Sequence, residues 1–270
     1  MKKITIALLI LTLTGCTHYY YAPNAANIPA FKEKNTFKLN AGYSSGETVQ
    51  GADIQLAYSV SPKVGIMVNS FFTGSKDNQT DFYGLSYLFG QSYYNGSNSG
   101  TESGRGSYIE GAIGYYKPVD IKKLWVFETY AGAGVGGENH VYLQLQKAKL
   151  SVTKLFLQPS FSYASAKGTL EVGVSSRFSY LNLKVNRNTL SADDNNWKYL
   201  DDVIAHPSSL IWEPAIKISA GGKVFKAYLE TTFSSNLNNR FLLQEHDNIN
   251  LGIQITIGKD KQKEKKEGQN

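Results

Sequence analysis

Asn248-Ile249-Asn250-Leu251-Gly252-Ile253-Gln254-Ile255-Thr256-Ile257 decides the fold. Ile249, Leu251, Ile253, Ile255 and Ile257 fall on one parity; Asn250, Gly252, Gln254 and Thr256 fall on the other. Strict alternation over ten residues is a β-strand with one apolar and one polar face. Working back from it, the same pattern recurs nine times, over 36–43, 52–60, 64–72, 108–116, 124–134, 152–163, 169–181, 210–219 and 224–233. Ile54, Leu56, Tyr58 and Val60 form one such apolar face, and Leu170, Val172, Val174, Phe178 and Tyr180 form another. Soluble strands average ~5–6 residues, whereas ~9–11 are needed to cross a bilayer at a tilt. These runs match the second length.

The connections carry a second period. Ser61-Pro62-Lys63, 117–123, 164–168 and 220–223 are short; 44–51, 73–107, 135–151, 182–209 and 234–247 are longer. Tight turns at one end and long loops at the other are expected of an outer-membrane barrel. A sheet whose apolar face meets lipid must also satisfy every backbone N–H and C=O internally, and only closure removes its edges. The expectation is therefore a ten-stranded, antiparallel, up-and-down transmembrane β-barrel over 36–258, with short periplasmic turns and long extracellular loops.

The leader sets the compartment. Lys2 and Lys3 precede an apolar run, Ile4 to Leu13, that is too short to span a bilayer. Leu13-Thr14-Gly15-Cys16 follows and resembles a bacterial lipobox. Cys16 is the chain's one cysteine, which also excludes a disulfide scaffold and a multi-cysteine zinc site. Residues 1–15 read as a lipoprotein signal peptide and Cys16 as the lipid attachment site. A diacylglyceryl group supplies two acyl chains, enough for stable anchoring. Residues 16–35 carry Pro23 and Pro29 without a period, and read as an extended lipidated tether. An even strand count returns both chain ends to one side. Cys16 is then expected in the periplasmic leaflet of the outer membrane, beside the charged tail of 259–270, which reads as disordered.

Composition agrees. The 270 residues are 13% aromatic, with 18 Tyr, 13 Phe and 25 Gly. Mean hydropathy is −0.30, and no apolar run is long enough for a membrane helix. Tyr43, Trp125, Tyr163, Tyr180 and Trp212 at strand ends suit interfacial girdles. The net charge of +6 lacks any clustered basic motif for nucleic acid, so the expected partner is outer-membrane lipid.

Three segments carry a resemblance: Tyr20 to Asn24 with Ile28 to Asn35, Phe127 to Gly132, and Trp212-Glu213-Pro214. The chain resembles uncharacterised outer-membrane β-barrel lipoproteins of Bacteroidota-type bacteria. The resemblance implies a barrel and an outer-membrane address. It implies no activity, and it carries over no catalytic residue.

The polar parity aims ten charges inward: Lys38, Asp53, Glu110, Glu128, Glu171, Arg177, Glu213, Lys217, Lys226 and Glu230. A barrel of about this size is filled by its own side chains, and unpaired buried charges are costly. The ten are expected to form a salt-bridged lumen; a narrow conduit or solute pocket is the alternative. A rim hydrolase, omptin-like or lipid A-modifying, is a further alternative. Such chemistry needs an acid beside a His. His18 falls in the tether; His140, His206 and His246 fall in long loops, and no such pair is evident at a strand end. The favoured function is a non-enzymatic outer-membrane lipoprotein barrel with a structural or surface-interaction role, with no cofactor and no metal. In loop 182–209, Ser191 to Asp194 fits a helix cap, and Trp197, Leu200, Val203 and Ile204 recur at helical spacing. Asp193, Asp194, Asp201 and Asp202 there lack a calcium-loop pattern.

Overall fold

The computed structural model describes residues 19–75, 103–142, 145–192 and 195–258. Strands β1 (Phe37–Ser45), β2 (Val49–Ser59), β3 (Val64–Ser75), β4 (Ser103–Pro118), β5 (Trp125–Val141), β6 (Lys147–Ala164), β7 (Leu170–Asn188), β8 (Ser208–Gly221), β9 (Phe225–Phe233) and β11 (Asp247–Ile257) pair antiparallel with their neighbours in sequence. The two-residue β10 (Ser235–Asn236) prolongs β9 along the edge of β8. Closure comes from β1 against β11, in register from Phe37↔Ile257 to Ser45↔Ile249. The result is a closed barrel of ten long strands, with no edge left to pair.

Alternation does what it predicts. Ile54, Leu56, Ile66, Val68, Ile113, Leu155, Leu157, Ile216, Ile218, Leu251 and Ile253 are all exposed on the outer wall. Trp125 stacks on Phe161 at 5.3 Å and tilts against Tyr163 at 5.0 Å near the turn end. Tyr43, Tyr180, Trp212 and Phe233 stand exposed toward the other end. Eight residue steps along β7 lead from Val172, opposite Tyr163, to Tyr180. At ~3.3 Å per residue and the ~40° tilt of such strands, the interval is about 20 Å, close to the ~25 Å apolar band of membrane barrels.

Two sequence expectations need correction. Four connections at one end are tight, at 60–63, 119–124, 165–169 and 222–224. The other end is mixed: 46–48 and 142–146 are tight too, while 189–207 and 237–246 are long. The expected loop 135–151 is mostly strand, because β5 and β6 run on to Val141 and from Lys147, paired throughout. Gly136-Gly137-Glu138-Asn139-His140 shows no apolar alternation, so its pairing left no periodic trace. Within 182–209, helix α1 (Asn195–Ala205) forms as the spacing predicts. Leu200 and Val203 on one side of it are buried, and Ile204 is exposed. Asp193 and Asp194 lie outside the described residues.

The larger correction concerns residues 19–35, expected as a tether outside the barrel. They thread the lumen. Tyr20, Ala26, Asn27 and Phe31 have no exposed surface, and Tyr21, Asn24, Ala25, Ile28 and Ala30 are buried. The segment enters β1 at the turn end, where the Asn35 N–H donates to the Ser59 carbonyl oxygen (2.8 Å). It emerges at the loop end, where the Tyr20 N–H donates to Leu243 O (2.9 Å). Tyr19 and Ile257 therefore lie at opposite ends, although β1 and β11 begin and finish at the same one. Cys16, His18 and the 259–270 tail lie outside the described residues.

Candidate functional site

All ten charges assigned to the lumen point into it; nine are buried, and the Glu171 side chain is 13% exposed. Parity along each strand is sufficient for this, since side chains two residues apart share a face. An eleventh was missed. Lys154 has no exposed surface and sits on the same parity of β6 as Gln158. Its place on the inward face was readable from that spacing.

The charges form two groups. In the upper group, Arg177 Nε donates to Glu213 Oε2 at 2.8 Å, and Arg177 Nη1 reaches Glu110 Oε1 at 3.3 Å. Lys154 Nζ lies 3.6 Å from Glu110 and 3.5 Å from Glu213. Two cations thus face two carboxylates. In the lower group, Lys38 and Lys226 flank Glu171 at 2.8 and 3.3 Å, and the Gln254 amide donates to the same carboxylate.

Four of the expected ion-pairing groups do something else. Asp53, Glu128, Lys217 and Glu230 have no ion-pair partner within 4.0 Å among the described residues. Glu128 accepts the N–H groups of Ala30 (2.8 Å) and Phe31 (3.0 Å). Glu230 accepts the Ala26 N–H at 2.5 Å. Asp53 accepts from the Ser44 hydroxyl and from the Asn250 amide. Lys217 Nζ rests 4.5 Å from the centre of the Tyr228 ring. A backbone without secondary structure leaves N–H and C=O groups that must be satisfied when buried. The wall carboxylates satisfy them here, so the charges hold a peptide as well as one another.

The donors complete the clamp. Arg177 Nη2 donates to the Asn24 carbonyl oxygen, Gln158 to Asn27 O and Asn248 to Pro23 O, at 2.7–2.8 Å. Asn24 Nδ2 donates to Glu110 (3.1 Å), Asn27 Nδ2 to Asn69 (2.8 Å) and the Tyr21 hydroxyl to Glu213 (2.5 Å). No signal in residues 19–35 alone revealed this. Its Asn and Tyr side chains are ordinary in a tether, and only the wall gives them partners.

Each mouth is sealed by apolar packing. Phe31 packs with Ala57, Met67, Tyr116, Val126, Tyr130 and Phe156 toward the turns. Tyr20 and Tyr21 pack with Tyr142, Leu150, Leu181, Leu200 and Leu242 toward the loops, where α1 closes over them. Small residues make the fit. A Cβ at Gly173 would lie 2.8 Å from Ile28 Cγ2, and one at Gly65 would lie 3.0 Å from the Phe31 ring. A space of about 20 Å³ beside Tyr21, Asn24 and Tyr108 and one of about 10 Å³ beside Ile28, Glu171 and Lys217 remain. Each is the size of one water.

His140, His206 and His246 are expected in long loops. His140 instead lies in β5, one residue before its end at Val141, its Nε2 3.0 Å from Glu138 Oε2. Glu-x-His at strand spacing is an acid–His pair on one face, and it was overlooked because 135–151 read as loop. Tyr20 packs edge-on over the His140 ring at 5.3 Å, and the Tyr20 and Tyr142 hydroxyls lie 3.1 Å apart. His206 stacks on Phe241 at 4.3 Å, and His246 is exposed. Among the described residues, no three His, Cys, Asp or Glu side chains are grouped to hold a metal.

No family model matches the chain, and no curated protein matches it. Solved structures do. The chain is similar to a NanC porin over 81% of its length and 98% of that chain, at 8% identity and a TM-score of 0.31. It is similar to OmpT, an outer membrane protein of Vibrio cholerae, over 83% of its length and 97% of that chain, at 9% identity and a TM-score of 0.24. At these values the likeness adds nothing to the strand pairing, on which the barrel architecture rests.

Proposed function

We propose that this chain is a non-enzymatic outer-membrane barrel lipoprotein, a closed scaffold that displays its loops at the cell surface and does not conduct. An outward belt of Ile, Leu, Val and Phe with aromatic residues toward both rims would be costly in water and suits hydrocarbon. Lipidation rests on Leu13-Thr14-Gly15-Cys16. The one observation that carries the non-conducting reading is the lumen: residues 20–31 fill it, with backbone groups bonded to Glu128, Arg177 and Glu230. The test is single-channel recording on the purified full chain in planar bilayers. Baseline current is expected, and reproducible steps of conductance would refute closure.

A rim hydrolase is the second reading, and the Glu138–His140 pair is the observation in its favour. Tyr20 covers that pair, which supports the scaffold over the enzyme. Any hydrolysis of surface peptide or lipid A that disappears in His140→Ala would reverse this preference.

A further inference from the structure

We infer that the chain carries its own N-terminal segment across the outer membrane through its lumen, so that Cys16 and its acyl chains sit at the cell surface. The inference deepens the lipoprotein reading above and rests on it for the acyl chains alone. Periplasmic-leaflet anchoring, expected from strand count, does not survive the direction of the lumen segment.

The direction is fixed at both ends. At the turn end, Lys32 Nζ donates to the carbonyl oxygens of Ala164 (2.7 Å), the last residue of β6, and Ser165 (3.2 Å), the first of the β6–β7 connection. Midway, Ala26, Ala30 and Phe31 are pinned by Glu230 and Glu128. At the loop end, the Glu245 N–H donates to Tyr21 O (2.9 Å), and the Tyr19 hydroxyl donates to Glu47 between β1 and β2 (2.9 Å). Only Thr17 and His18 separate Tyr19 from Cys16, so the two are three steps apart. Three steps reach at most about 11 Å, whereas the nine residues of β1 descend about 23 Å, at the ~40° tilt of such strands, from that level to the turns. Among the described residues, the spaces beside the segment are water-sized, too small for a chain to turn back.

Tyr19 and Ile257 therefore face opposite sides of the membrane. Barrels of this class keep their tight turns in the periplasm and send longer connections outward. Here the turn end holds all four uniformly tight connections and Ile257, and the loop end holds 189–207, 237–246 and Tyr19. The N-terminal lipid then enters the outer leaflet, and the barrel itself is the route by which it arrives there.

The experiment places three epitopes on the full chain, one per strain: between Thr17 and His18, between Asn238 and Asn239, and after Asn270. Antibody binding is compared on intact and permeabilised cells, with metabolic labelling by an alkyne fatty acid on each strain and heat-shifted gel mobility as the folding check. The expected result is that the first two epitopes bind on intact cells, the third binds only after permeabilisation, and the chain carries the fatty acid. A labelled, folded chain whose Thr17 epitope needs permeabilisation overturns the inference. So does surface binding of the Asn270 epitope, which would mean an inverted barrel. A surface-exposed Thr17 epitope on an unlabelled chain supports the crossing and removes the lipoprotein reading instead.

Discussion

Arg177 donates to the Asn24 carbonyl oxygen at 2.8 Å across 153 positions of sequence, joining a strand of the wall to the segment that fills it. The same guanidinium neutralises Glu213 and Glu110, and neither it nor those carboxylates has exposed side-chain surface. Arg177→Met removes the fork and leaves two carboxylates facing Lys154 alone. Breaking a buried pair in this way typically costs about 3–5 kcal/mol. The expected outcome is a clear fall in the temperature at which the folded band converts on gels. Arg177→Lys should rescue only part, since an ammonium cannot span Glu213 and Asn24 as a planar fork does. An unchanged conversion temperature in Arg177→Met would mean that the network is incidental.

Inward-facing charges were legible in the sequence because strand parity is absolute. Lys38, Glu128, Arg177 and Glu213 could have been placed nowhere else once their strands were drawn. What was illegible is why so many charges are there. Glu128 and Glu230 look like candidates for salt bridges, and their real partners are backbone N–H groups of Ala26, Ala30 and Phe31. Residues 19–35 have no period because they form no secondary structure, and a segment clamped by side chains looks the same in sequence as one that is free. The extensions of β5 and β6 were hidden for a related reason. Beyond the apolar belt neither face needs to be hydrophobic, so Gly136 to Val141 pair without alternating.

Gly173 gives a direct test of how closely the segment is seated. A side chain there must enter the volume of Ile28, whereas a Cβ at outward-facing Gly111 would meet nothing nearer than 3.9 Å. Gly173→Phe is expected to displace the segment and turn a silent barrel into one that passes small ions in planar bilayers. Gly111→Ala should remain silent. If Gly173→Phe folds and stays silent, something other than residues 19–35 closes the lumen.

Glu245 supplies a pH dependence outside the membrane-spanning strands. Burial in the loop above the lumen raises its carboxyl above the usual glutamate range, although Thr48 N–H, the Thr48 hydroxyl and Val49 N–H all donate to it. A group whose folded pKa is raised adds stability that is full below the unfolded value, ~4.3, and is lost as pH rises through the folded value. The wild-type chain should therefore gain thermal stability relative to Glu245→Gln as pH falls from 7 toward 4.5. Gln keeps an acceptor for Thr48 and Val49 and carries no charge to desolvate. Melting both proteins across that range checks the sign. A difference that is flat with pH, or that grows the other way, removes the role assigned to this burial.

Ile28 and Gly173 also permit a covalent test in the native membrane. A Cβ built at Gly173 lies 3.7 Å from Ile28 Cβ, close to the ~3.8 Å typical of disulfides. The only natural cysteine is Cys16, so a pair placed at these positions has no competing thiol inside the barrel. Ile28→Cys with Gly173→Cys is expected to form an intramolecular disulfide under mild oxidation of whole cells. Because the bridge closes a loop of about 145 residues, the boiled, unreduced chain should run faster on a gel than the reduced one. Each single substitution should show no shift. Absence of the bridge in folded, oxidised protein would mean that the segment does not occupy the lumen in the membrane, and closure and the surface position of Cys16 would both fall with it.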